Sequence, residues 1–123
     1  MRKLIGSAAA LMFAAGAALA TGAGAQAAGA GAQATYQGCP SGYVCIYPNA
    51  SWNNGVPEHT YYTYGAHNLV EEYGTHRIFN NQTDGATVQT CTGSNGTNCG
   101  SKMGTWAYRD QNLTPVNSIR LAP

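Results

Sequence analysis

The chain has 123 residues, a formal net charge of +1 and charged side chains at only 9% of positions. So short and weakly charged a protein offers no basic surface for nucleic acid or an anionic membrane, and it has room for one domain with a modest core. Such a domain needs covalent staples, and the sequence holds four cysteines.

Met1-Arg2-Lys3 is a short positive region, and "LIGSAAALMFAAGAALA", Leu4 to Ala20, is apolar with small residues at its exit. That pattern predicts a secretory signal rather than a membrane anchor. A-x-A sites end at Ala20, Ala27 and Ala34, with Ala27 favoured. The expected organisation is a signal peptide over 1–27, a flexible Gly/Ala leader over 28–37 and a folded domain over 38–123. The mature body carries Arg77, Lys102, Arg109 and Arg120 against Glu58, Glu71, Glu72, Asp84 and Asp110. With no membrane segment left after signal removal, it is expected to be a secreted, extracellular monomer.

Four cysteines allow three pairings. The short turn-rich segments "CPSGYVC" and "CTGSNGTNC" favour local closure as Cys39–Cys45 and Cys91–Cys99, each contributing roughly 2–3 kcal/mol in the chain-entropy picture. Neither pair has zinc-site spacing, and export favours oxidation.

Strand signals dominate the rest. "YVCIY" (Tyr43 to Tyr47), "HTYYTY" (His59 to Tyr64), Ile78-Phe79, "ATVQTCT" (Ala86 to Thr92), "TWAY" (Thr105 to Tyr108) and Ser118 to Leu121 are aromatic or β-branched. Between them "PNASWNNG", "NNQTDG" and "GSNGTNCG" supply turn residues. A helical turn fits only Ala66 to Tyr73, between Gly65 and Gly74. The fold class expected is all-β, a small antiparallel sandwich. One internal repeat stands out: Asn68-Leu69 precedes Ile78, and Asn112-Leu113 precedes Ile119. Each Leu should pin its loop into the core, and each Ile should face inward on the next strand.

"YPNASWNNG", with Tyr47, Trp52 and Gly55, resembles the aromatic hairpin of βγ-crystallin Greek keys, although it has one extra residue before the glycine. The "CPSGYVCIY" opening with a later Cys–Cys loop resembles the secreted actinobacterial metalloproteinase-inhibitor family, the Streptomyces metalloproteinase inhibitor type. The resemblance implies two βγ-crystallin-like Greek keys and inhibition of an extracellular metalloprotease. It also implies a reactive bond after the first Cys of the second pair, between Cys91 and Thr92. A loop already ordered by a disulfide loses little further entropy on entering a protease cleft.

Enzymatic motifs are missing: there is no H-E-x-x-H, phosphate loop or G-x-S-x-G elbow, so no catalytic residues and no cofactors are expected. Glu71-Glu72 reads as a solvated loop, and the spacing of His59, His67 and His76 suggests no metal site. The windows "EYGTHR" and "LTPVNS", where microbial βγ-crystallins hold calcium, have too few oxygen ligands for tight binding. The alternative to inhibition rests on Trp52, Tyr61, Tyr62, Tyr64, Tyr73 and Trp106, whose rings could stack on sugars in a non-enzymatic cell-wall or carbohydrate-binding protein.

Overall fold

Seven short strands joined by longer turns and loops make up residues 34–123, which are the residues described by the structure, a computed structural model. They are β1 (Tyr43–Ile46), β2 (His59–Tyr61), β3 (Gly65–Asn68), β4 (Thr75–Asn81), β5 (Thr87–Cys91), β6 (Ala107–Asn112) and β7 (Ser118–Ala122). The signal-peptide expectation falls outside the described residues. The compact unit runs Ala34–Pro123, so Tyr36 and Gln37 belong to it.

All strand pairs are antiparallel, in a four-stranded sheet of order β2-β1-β4-β6 and a three-stranded sheet of order β3-β7-β5. The two halves of the chain exchange strands: β3 pairs with β7 and β6 pairs with β4. Alternation sets the faces. Val44, Ile46 and Ile78 from the first sheet meet Val88, Ile119 and Leu121 from the second, with Leu113, Val116 and Met103 filling between them. Cys39, Cys45, Tyr47 and Phe79 pack together in a second cluster. Both disulfides close locally, Cys39–Cys45 and Cys91–Cys99.

The Asn-Leu repeat has a structural meaning. Asn68 ends β3 and Asn112 ends β6, and the following Leu69 and Leu113 both pack against the core. The bonding is reciprocal: Leu69 N–H donates to Asn117 O just ahead of β7, and Leu113 N–H donates to Gly74 O just ahead of β4, both at 2.9 Å.

Several element expectations require correction. Ala66 to Tyr73 contains no helical turn, because β3 gains its hydrogen bonds from β7 instead. The one short 3-10 turn described is Asn53–Gly55. "HTYYTY" is strand only to Tyr61. "TWAY" starts too early, because Trp106 takes a left-handed backbone (φ 64) and β6 runs from Ala107 to Asn112. Asn80 and Asn81, read as turn formers, are buried at the end of β4. Their amides tie down loops: Asn80 Nδ2 donates to Ala86 O and Met103 O, and Asn81 Nδ2 donates to Cys39 O.

Candidate functional site

The outer face of the four-stranded sheet carries the densest chemistry. Outward positions align across strands, with Cys45 opposite Phe79, Phe79 opposite Tyr108 and Arg77 opposite Asp110. Three loop residues close over this row. The turn after β1 brings Trp52, the segment before β6 brings Trp106, and the N-terminal turn brings Tyr36.

Tyr36, Trp52, Phe79, Trp106 and Tyr108 line a hollow of about 140 Å³. Ring centroids lie 5.0 Å apart for Tyr36–Trp106 and Trp52–Tyr108, 5.3 Å for Trp52–Phe79 and 5.4 Å for Phe79–Trp106. These are the tilted and edge-on spacings that aromatic quadrupoles favour. Tyr47 sits beneath, fully buried, its ring 5.3 Å from Trp52 and its hydroxyl donating to Gln37 O at 2.8 Å. Burial pushes that phenol up to about 12, so Tyr47 stays a neutral strut. Gly55, at φ +78, donates to Trp52 O and closes the turn. The residues Tyr47, Trp52 and Gly55 singled out in the sequence thus meet at one hairpin.

Arg77 supplies the polar element. Its guanidinium binds Asp110 through two bonds, Nε to Oδ1 at 2.8 Å and an Nη to Oδ2 at 3.0 Å. It also lies over the Trp52 and Tyr108 rings, at 4.7 and 4.3 Å. The hydrogen bonds from Arg77 hold the Asp110 carboxyl below the usual carboxylate range. The ion pair thus stacks on two of the rings that wall the cleft and sets a charged group beside apolar walls.

Trp106 is the least ordinary member. A bulky residue at φ 64 is a backbone outlier, yet half of its side chain remains exposed. Its N–H donates to Asn80 O at 2.7 Å, which holds the ring at the cleft mouth. Such a conformation persists only where the surrounding structure over-determines it.

Comparison with known proteins finds no matching family model, curated protein or solved structure.

The Cys91–Thr92 bond lies elsewhere, at the end of β5. Cys91 is fully buried and its carbonyl accepts from Asn117 N–H at 3.0 Å, while Thr92 is exposed. Tyr62 and Tyr64, both exposed, line a larger hollow of about 340 Å³ with Gly42, Thr63, Gln82 and Thr83. That hollow has two rings where the cleft has five, so it offers less stacking surface to a ligand.

Glu71 and Glu72 part company. Glu71 is exposed, but the Glu72 side chain is only 4% exposed, which corrects the solvated reading of that pair. Glu72 Oε2 lies 2.8 Å from His59 Nε2, and Glu58 Oε2 lies 3.1 Å from the same nitrogen. Burial, then the neighbouring Glu72 carboxyl, pushes Glu58 above the usual carboxylate range. His67 stays apart, its Nε2 2.8 Å from Thr63 O. Sequence spacing could not bring Glu58, His59 and Glu72 together, because their approach depends on how the start of β2 packs against the β3–β4 loop.

Proposed function

We propose that this chain is an exported, non-enzymatic binding module whose five-ring cleft stacks on the sugar rings of a cell-wall or other extracellular polysaccharide. The observation that carries the reading is Trp106, kept exposed in a costly left-handed backbone at the mouth of a cleft walled by Tyr36, Trp52, Phe79 and Tyr108. Flat rings present apolar faces to the C–H faces of a pyranose, and the Asp110 carboxylate at the edge can accept from a hydroxyl. Bases could stack on the same rings, but nucleic acid needs a positive groove and the body from Tyr36 onward has fewer basic than acidic side chains. The exchanged strand order and the reciprocal Asn-Leu loops support two βγ-crystallin-like Greek keys. Two disulfides support export, and no helix among the described residues is long and apolar enough to cross a membrane.

The test is co-sedimentation of the oxidised domain with insoluble peptidoglycan, chitin and cellulose, beside Trp106→Gly and Tyr73→Ala. Glycine accepts φ 64 freely, so Trp106→Gly should fold. It should weaken binding by about tenfold or more, as expected for a central aromatic anchor. Tyr73→Ala, exposed and outside the cleft, should bind like the parent. Retention of the parent on none of these polymers, or equal retention by Trp106→Gly, would overturn the reading.

A second reading, inhibition of an extracellular metalloprotease, is favoured by the bracing of the Cys91–Cys99 loop. Thr92 N–H donates to Asn98 O and Gly93 N–H to Thr97 O, both at 3.0 Å. From outside the loop, Asn117 Nδ2 donates to Thr92 O at 2.7 Å, Asn68 Oδ1 accepts from Asn95 N–H at 2.7 Å, and Ser118 Oγ accepts from Gly96 N–H. The loop has thus lost its ordering entropy before any protease arrives. It ranks second because the buried, paired Cys91 does not present its carbonyl. Titration against thermolysin decides between them: the sugar-binding reading expects undiminished proteolysis at micromolar domain. Stoichiometric inhibition that Thr92→Pro abolishes would promote the inhibitor.

A further inference from the structure

We propose that Glu58, His59 and Glu72 form a three-ligand site for a divalent transition-metal ion, with zinc the best fit. The site shares no residue with the aromatic cleft and does not depend on the function proposed for it. One donor atom from each residue can lie within 4.8 Å of the others. Zinc bonds of about 2.0–2.1 Å in a tetrahedron place ligand atoms roughly 3.3 Å apart. His59 Nε2 already stands 2.8 Å from Glu72 Oε2 and 3.1 Å from Glu58 Oε2, so these two edges need widen only slightly.

The second observation is Glu72 itself. Its carboxylate is almost wholly buried, and Oε1 has no hydrogen-bond partner. An ionised oxygen in that position is costly unless a cation answers it. His76, 3.5 Å from Oε1, is committed elsewhere: Nδ1 lies 2.7 Å from Tyr47 O and Nε2 2.9 Å from Tyr73 O. With both nitrogens facing carbonyls, His76 braces the site rather than ligating the metal.

Charge and donor type choose the ion. Two carboxylates and one neutral imidazole balance a dication. Three protein ligands are too few for calcium, whereas imidazole with carboxylate suits zinc and its neighbours. His59 is 45% exposed, which leaves an entry path and an open position for water.

The experiment is equilibrium dialysis of the untagged, oxidised protein against micromolar zinc, with His59→Ala, Glu72→Gln and the outlying His67→Ala. One zinc per chain is expected for the parent and His67→Ala, and saturable binding should disappear in the other two. Cobalt(II) should give the intense visible bands of a four-coordinate ion, and these too should vanish in His59→Ala. Because His59 is half exposed, that variant keeps its fold, and a far-ultraviolet spectrum checks it. Absence of saturable zinc binding by the parent, or parent-like binding by His59→Ala, would overturn the assignment.

Discussion

Gly38→Ala should cost about 3 kcal/mol or more in chemical denaturation, a large share of the 5–15 kcal/mol that holds a typical small domain. The site has no room for a methyl group. A Cβ at Gly38 would stand 1.9 Å from the Gly55 carbonyl oxygen, 2.9 Å from its carbon and 3.0 Å from Pro57 Cδ. Backbone on both sides of the clash leaves nothing flexible to give way. Gly38 also has φ +75, which disfavours alanine even in free space. Gln37 (φ 51) and Gly38 are the centre of a turn in which Tyr36 and Cys39 exchange backbone hydrogen bonds of 3.0 and 2.9 Å. That turn sets Tyr36 against Trp52 and Trp106 and offers Gln37 O to Tyr47. Pushing it off Gly55 should therefore strip one wall from the cleft, so polysaccharide retention should fall together with stability. Gly104→Ala is the control, since nothing lies within 4 Å of its added carbon, and it should stay within about 0.5 kcal/mol. A denaturation midpoint for Gly38→Ala close to that of Gly104→Ala would mean that the contact between the two turns is not structural.

The ease with which parts of this fold can be read follows the range of the forces involved. Strands β1, β5 and β7 are legible because their alternation and β-branching are local properties of "YVCI", "TVQTC" and "SIRLA". The Asn-Leu repeat is legible for the same reason, as a short motif with a core-seeking Leu. Local signals fail at β3, where "GAHN" has weak strand propensity and is extended only because β7 lies beside it. They fail again at Asn80-Asn81, where residues usually found in turns serve as buried connectors. Both disulfide pairings follow from short loop lengths, which sequence displays directly. The aromatic hairpin residues Tyr47, Trp52 and Gly55 could be picked out, yet the cleft could not. Its other walls come from Tyr36 in the N-terminal turn, from Phe79 on β4, and from Trp106 and Tyr108, which the pairing of β6 with β4 brings into place. The Arg77–Asp110 pair is hidden for the same reason, since 33 residues separate two groups that are direct cross-strand partners.

Asn80→Leu should be the most damaging near-isosteric change in the core, costing about 3–5 kcal/mol. The side chain is fully buried and uses its whole hydrogen-bonding capacity. Nδ2 donates to Ala86 O at 3.1 Å and Met103 O at 3.0 Å, while Oδ1 accepts from Gln82 N–H and Gln82 Nε2, both at 3.0 Å. Leucine fills a similar volume, so no cavity opens and the loss is almost purely polar. Partners at Ala86, Gln82 and Met103 are themselves buried, so water cannot replace the amide without opening the loops. The effect should reach the cleft by a traceable route. Asn80 grips the segment ahead of β6 twice, through its side chain at Met103 O and through its own carbonyl at Trp106 N–H. With the first grip gone, Met103 keeps its backbone exchange with Val88, but the stretch from there to Trp106 is held only by the Asn80 carbonyl, and the left-handed Trp106 is freer to relax. Denaturant titration should show the stability loss, and polysaccharide co-sedimentation at low temperature, where the variant remains folded, should show weaker retention. A stability change below about 1 kcal/mol would mean that the four bonds are replaced elsewhere. Full stability loss with parent-like retention would separate Asn80 from the presentation of Trp106, leaving the carbonyl bond as the only tether the ring requires.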